Sequence, residues 1–160
     1  MRDPRVREYA ELLVDTCVGV RPGWQVLVLG SYLARPLLEE LARQVAERGA
    51  YALVRVTFGE RLFVSDAWLR HAPLELVANA PSIETSTLDA CDALIGVSAP
   101  ENTREQSSIT QERLSALQAV YRPSLQRIFG RDFPWVGCQY PSPALAQEAG
   151  LSTEDFADFL

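Results

Sequence analysis

The sequence contains no lysine: all fifteen of its basic residues are arginine. That absence excludes a Schiff-base lysine and the phosphate-binding lysine of a P-loop. It otherwise reads as coding bias in a GC-rich genome. Histidine is almost as scarce, with His71 alone in WLRHAPLE. Hydrolytic metal sites draw on two or more histidines with carboxylates at set spacing, and no H-E-x-x-H or equivalent occurs. A lone histidine in this setting reads as a surface or cap residue. Cys17, Cys91 and Cys138 are odd in number, widely separated and without a C-x-x-C pair. They have the profile of reduced thiols packed as small hydrophobes.

Other absences narrow the field further. No apolar run approaches the length of a membrane span, and MRDPRVREYAELL lacks the apolar core of a signal peptide. A cytoplasmic location without a membrane partner is the default expectation. The net charge of −6 argues against a nucleic-acid surface, which needs a basic stripe. No G-x-G-x-x-G, Walker A or G-x-S-x-G string is present.

What is present is a chain of 160 residues with 48% apolar and 22% charged content. That is the balance of one soluble globular domain spanning residues 1–160, able to bury roughly 70% of the surface its unfolded chain exposes. Asp3 caps a helix that opens with Pro4, and Val6, Tyr9, Ala10, Leu13 and Cys17 mark one face of it. The turn VRPGW leads into QVLVLG, a continuous apolar run that reads as a strand buried on both faces. Pro36 opens a second helix with a stripe of Leu38, Leu41, Ala42, Val45 and Ala46, closed by Gly49. YALVRVTF is the next strand, and strand, helix, strand makes a βαβ unit with parallel pairing.

Residues 60–90 read as short helices around Trp68–Leu69 and Leu74–Val77, broken by NAPS. DALIGVSAP is a third buried strand. A long helical pattern runs from Ile109 to Phe129, which Pro123 should kink or split. PWVGCQYP is a fourth strand, and PALAQEAG a short helix capped by Ser142 and closed by Gly150. In LSTEDFADFL, Ser152 caps a last helix with a stripe of Phe156, Phe159 and Leu160. The alternation makes the fold α/β with a mostly parallel sheet.

In such sheets ligands bind beyond the carboxyl ends of the strands. The loops of interest are therefore GSYLARP, FGERLF, SAPENTRE and QYPSPA. Gly30 is the one glycine of the first, too few for a dinucleotide loop. Glu39, Glu40, Glu84 and Glu101 show no partner in the sequence and read as solvated. Trp68 and Trp135 sit in apolar surroundings that suit core packing. The residues alone display no catalytic constellation.

The second half carries a more specific pattern. SAPENTRE places Asn102 and Thr103 after an apolar strand, and PWVGCQYPSPALAQEAGLSTEDFADFL follows further along. Together with YAELLVD and PGWQVLV near the start, these strings closely resemble the amino-terminal domains of the bacterial thermophilic metallo-aminopeptidases, the aminopeptidase T and aminopeptidase S (leucyl aminopeptidase) group. The resemblance spans residues 5–160. Departures are mild: Ser142 stands where that family usually has threonine, and Leu151 where it usually has methionine.

The resemblance implies an α/β domain with Rossmann-like or flavodoxin-like layering, the amino-terminal part of a two-domain hydrolase. It implies removal of N-terminal residues from short peptides by two divalent metals (cobalt, zinc or similar), which activate a bridging water and polarise the scissile carbonyl. The family's metal ligands lie in a carboxy-terminal domain, and none of their motifs occurs in this chain. No catalytic, cofactor-binding or metal-ligating residue is therefore assigned within it, and the chain alone is expected to be inactive. The implied partners are the missing carboxy-terminal domain, the peptide substrate and a second subunit in a homodimer whose cavity this domain helps to wall. On this reading LSTEDFADFL begins the connection toward the metal-bearing domain, and Phe156, Phe159 and Leu160 are expected to be exposed. Two alternatives stand beside it. One is a free-standing α/β binding or interaction module without peptidase activity. The other is a small enzyme using Asn102, Thr103 and Glu105 at the strand-end loops.

Overall fold

The four apolar runs form four strands: β1 (Gln25–Ser31), β2 (Tyr51–Thr57), β3 (Ala93–Ser98) and β4 (Trp135–Gln139). A computed structural model, which describes residues 3–58, 64–79, 81–130 and 133–160, pairs them all in parallel in the order β2-β1-β3-β4. Parallel neighbours need long crossovers, and helices supply them. The described α-helices are α1 (Pro4–Glu11), α2 (Arg35–Glu47), α3 (Asp66–His71), α4 (Leu74–Val77), α5 (Ser82–Ala90), α6 (Gln111–Ile128), α7 (Pro143–Glu148) and α8 (Thr153–Phe159), of which α2, then α3 to α5, then α6 make the crossovers. The α/β class with a parallel sheet flanked by helices is as expected.

Period-two alternation divides the core into two layers. Val26 and Val28 of β1 share one face with Ala93, Ile95 and Val97, against Ala10, Leu13, Val14, Leu37, Leu38, Leu41 and Val45. Leu27, Leu29 and Leu94 point the other way, into Leu69, Val77, Leu88, Leu117, Tyr121 and Ile128. Gly30 completes β1 where space runs out: a Cβ there would lie 2.7 Å from Leu38 Cδ2, 3.1 Å from Val97 Cβ and 3.2 Å from the Val97 carbonyl oxygen.

Helix ends are closed by side chains. Asp3 Oδ1 accepts from Arg5 N at 3.0 Å, Ser142 Oγ from Leu145 N at 3.3 Å, and Ser152 Oγ from Asp155 N at 3.0 Å. Two arginines of α6 cap the carboxyl ends of its neighbours. Arg113 Nη1 donates to the carbonyls of Leu69 and Ala72 at 2.9 and 2.6 Å. Arg127 donates to those of Leu88 and Cys91 at 2.7 and 2.9 Å, with its guanidinium 4.7 Å from the centre of the Phe133 ring.

Several expectations are corrected. The first helix winds as a π-helix over Leu12–Val18. The wider turn shifts the buried register, so Val14 and Val18 enter the core and Cys17 faces solvent. Cys91 is buried and Cys138 half-buried. In α2 the buried stripe runs through Leu37, Leu38, Leu41, Gln44 and Val45, leaving Ala46 exposed. Residues 82–90, which sequence reading left without an element, form α5. Pro123 does not split α6; it lies on the exposed side of the helix, as does Ala119, whose carbonyl it leaves without an intrahelical donor. Trp68 and Trp135 are 40% and 42% exposed rather than packed in the core. Trp135 is surface-accessible because β4 is an edge strand, and its ring meets Phe129 edge-on at 4.7 Å. Phe159 is exposed as expected and Leu160 is half exposed, but Phe156 is buried.

Two predictions follow from this packing. Gly30→Ala lowers stability by about 1–3 kcal/mol, read from the urea midpoint, because the backbone of β3 cannot yield as Leu38 can. The second concerns Asp15, whose carboxylate accepts from Arg48 Nε and Nη2 at 2.5 and 2.6 Å, tying the π-helical segment to the end of α2. The guanidinium holds the Asp15 carboxyl below its usual range despite some desolvation. A folded-state pKa depressed in this way gives stability that is present above the unfolded value and lost as pH falls through the folded one. Asp15→Asn therefore costs less than about 1 kcal/mol at neutral pH, since the pair is partly exposed. In urea titrations the difference from wild type shrinks as pH falls below the ordinary carboxylate range.

Candidate functional site

Strand order places one crevice in the sheet. The chain leaves β1 toward β2 on one side, while β3 continues to β4 on the other, so the connections diverge at the carboxyl ends of β1 and β3. This is the position at which open α/β sheets bind ligands. A cleft of about 200 Å³ opens there, lined by Ser31, Tyr32, Phe58, Pro100, Glu101, Asn102 and Glu105.

Each wall is held by local geometry. Ser31 ends β1 in an extended conformation, and its Oγ accepts from Leu33 N at 3.3 Å, which starts a tight 3-10 turn at Tyr32–Ala34. That turn brings the Tyr32 ring beside Phe58, the residue after β2, with centroids 5.9 Å apart. From the β3 side, Pro100 and Glu101 follow the strand directly. The Glu101 carboxylate beside the Tyr32 hydroxyl holds the phenol above its ordinary pKa. Asn102 folds its own loop, with Oδ1 accepting from Arg104 N at 3.0 Å. Glu105 opens a second 3-10 turn, Glu105–Ser108. Arg70 of α3 fastens it, donating through Nη2 to both Glu105 Oε1 and the Glu105 carbonyl at 2.6 Å, and through Nε to Ser108 Oγ at 3.0 Å. The guanidinium keeps the Glu105 carboxyl below its usual range.

Of the three polar residues singled out from SAPENTRE, the structure brings Asn102 and Glu105 to the cleft. Thr103 turns away, its Oγ1 donating to Glu148 Oε1 of α7 at 2.5 Å. Among the glutamates read as solvated, Glu101 lines the cleft. Glu84 is buried and pairs with Arg55 at 2.5 Å; Glu40 is buried against Arg43; Glu39 pairs with Arg35 at 2.8 Å. His71 is exposed at the end of α3. Of the loop FGERLF only Phe58 falls within the described residues. Sequence reasoning missed Tyr32 and Phe58 as partners, although both stand just beyond strand ends, where the fold rule looks for ligands.

The cleft is rich in acceptors, with two carboxylates and an amide carbonyl. Those acceptors suit the binding of a hydrogen-bond donor, and no described residue of the lining is a histidine or a cysteine. Nor do the described residues include any group of three or more His, Cys, Asp or Glu able to hold a metal ion. No described helix is long and apolar enough to cross a membrane.

Comparison with known proteins adds the lineage. A solved structure similar to this one is wild-type AmpT from Thermus thermophilus, at 19% identity and a TM-score of 0.73. The match covers 98% of this chain and 41% of that one, in its amino-terminal part. At that identity the likeness establishes the α/β fold. No curated protein matches the sequence. The model of one family, described as thermophilic metalloprotease (M29), matches residues 2–160. That match covers the whole sheet, the strand-end cleft and every helix, and by it the chain belongs to the thermophilic metalloprotease (M29) family.

Proposed function

We propose that residues 1–160 form the amino-terminal, non-catalytic domain of a metal-dependent aminopeptidase. Its two-metal centre would be supplied by sequence outside these residues and would remove N-terminal residues from short peptides. Family membership over residues 2–160 carries the hydrolase reading. A two-metal centre needs several imidazole and carboxylate ligands converging on one place, and this reading assigns them to sequence outside residues 1–160. It is supported too by length, since the chain spans 41% of the solved relative.

The surface agrees with a domain that packs against more protein. Tyr51, Leu53 and Phe58 along the β2 edge are more than half exposed, as are Phe129 and Phe159 on the opposite side. Exposed apolar side chains in such numbers suit an interface with further protein. On this reading the domain helps to wall a cavity in a cytoplasmic homodimer and faces peptide substrates with its strand-end loops. The alternative of a binding module without peptidase activity draws on the strand-end cleft and its acceptor-rich lining.

Activity assays separate the chemistry from the fold. The purified 160-residue chain, supplied with cobalt or zinc, is expected to release no leucine from a leucyl substrate and to retain less than one metal per chain after dialysis. Chelator-sensitive release by the pure chain would overturn this reading.

A further inference from the structure

We propose that the strand-end cleft binds a primary alkylammonium group, seated on the Glu101 carboxylate and against the rings of Tyr32 and Phe58. The inference goes beyond the peptidase reading and does not rest on it, since it concerns residues of this chain alone.

Position and size come first. The cleft lies where the connections from β1 and β3 diverge, and its volume is about 200 Å³. At about 30 Å³ per water it holds roughly six or seven solvent molecules, so a nucleotide or a long peptide segment does not fit inside. A small headgroup on a short carbon stem does.

Charge then decides the sign of the ligand. Doubly wound domains ordinarily use this position for phosphates, held by a glycine-rich turn and a helix N-terminus. Here Tyr32 and Pro100 line the cleft in place of a glycine-rich turn, and a short 3-10 turn precedes the helix after each strand, Tyr32–Ala34 before α2 and Glu105–Ser108 before α6. The lining contributes two carboxylates. Arg70 is committed to Glu105 by contacts at 2.6 Å. The Glu101 carboxylate, by contrast, meets the neutral Tyr32 hydroxyl. The described lining is therefore anionic on balance and repels phosphate.

Aromatic contact completes the chemistry. Two rings with centroids 5.9 Å apart flank the carboxylate, and ring faces attract ammonium cations while tolerating their methylene stems. Ammonium offers three donors, which Glu101 and the second lone pair of Asn102 Oδ1 can accept.

An NMR titration of the isotope-labelled chain tests this with three probes, each carried to about 50 mM to reach weak millimolar binding. Leucinamide carries an α-ammonium, N-acetyl-lysinamide carries only a side-chain ammonium, and N-acetyl-leucinamide carries neither. One or both cationic probes are expected to shift the amides of Tyr32, Phe58, Glu101 and Asn102, and the neutral probe to leave them unmoved. A response to leucinamide alone identifies peptide amino termini as the source. A response to N-acetyl-lysinamide alone identifies basic side chains, and a response to both identifies alkylammonium groups in general. Glu101→Gln should weaken binding roughly tenfold, by loss of the charge-assisted contact. Phe58→Leu, too exposed to disturb folding, should weaken it about threefold. Equal shifts with the neutral probe, no shifts with any probe, or unchanged affinity in both folded variants would each overturn the proposal.

Discussion

Parallel pairing on both sides of β1 is the constraint from which the rest of the domain follows. Because β2 and β3 both run parallel to β1, neither can be joined to it by a hairpin. The chain must cross over one face through α2 and reach β3 through α3, α4 and α5 on the other. A strand enclosed in this way needs large apolar side chains on both of its faces, which is why QVLVLGS shows no polar alternation. Close packing at its carboxyl end leaves no room for a Cβ at Gly30, so the cleft begins where the strand's packing ends. Ser31 is the first residue there able to turn the chain, and its turn positions Tyr32.

The exclusive use of arginine has structural consequences, whatever its origin. Arg113 and Arg127 each bridge two main-chain carbonyls at the ends of neighbouring helices, while Arg48 holds the Asp15 carboxylate with two nitrogens and Arg70 holds both the carboxylate and the carbonyl of Glu105. A planar guanidinium presents several donors in a fixed fork, whereas an ammonium is a compact point charge on a flexible stem. Short helices such as α3 and α5 have few intrahelical bonds, and capping from α6 compensates for that. Arg70 extends the same device to the cleft by fixing the loop that carries Glu105. The arginine network therefore links the helical layer beneath the sheet to the geometry of the ligand position above it.

Much of this was legible in the sequence. β1 and β3 could be read because burial on both faces removes polar alternation, and the caps at Asp3, Ser142 and Ser152 because their chemistry is local. Other features depended on tertiary context. Nothing in LLVDTCV announces a π-helical turn, yet that turn decides that Val14 and not Cys17 is buried. SIETSTLDA has a weak apolar period and became α5 because Leu88 packs into the core and Glu84 pairs with Arg55. Trp135 looked like a core residue because sequence shows that β4 is apolar but not that it lies at the edge. At the cleft, Asn102 and Glu105 were visible as polar residues after a strand. Tyr32 and Phe58 were not, because only the β2-β1-β3 order brings the ends of three strands to one place.

That order also bears on how one fold serves different chemistry. The divergence of connections beyond β1 and β3 creates a crevice whatever residues occupy it, because it follows from strand order and handedness. Its selectivity is set by a few loop residues. A glycine-rich turn there would let an anion approach main-chain donors closely, whereas Tyr32, Phe58 and Glu101 present a carboxylate beside two rings. Substituting a handful of side chains thus inverts the charge the site accepts and leaves the sheet unchanged. Within the thermophilic metalloprotease family, such a domain need not contribute a metal ligand to influence hydrolysis. A pocket that holds an ammonium group at a fixed distance from a neighbouring centre would orient a peptide by its charged end, and its effect would fall on substrate affinity more than on the chemical step.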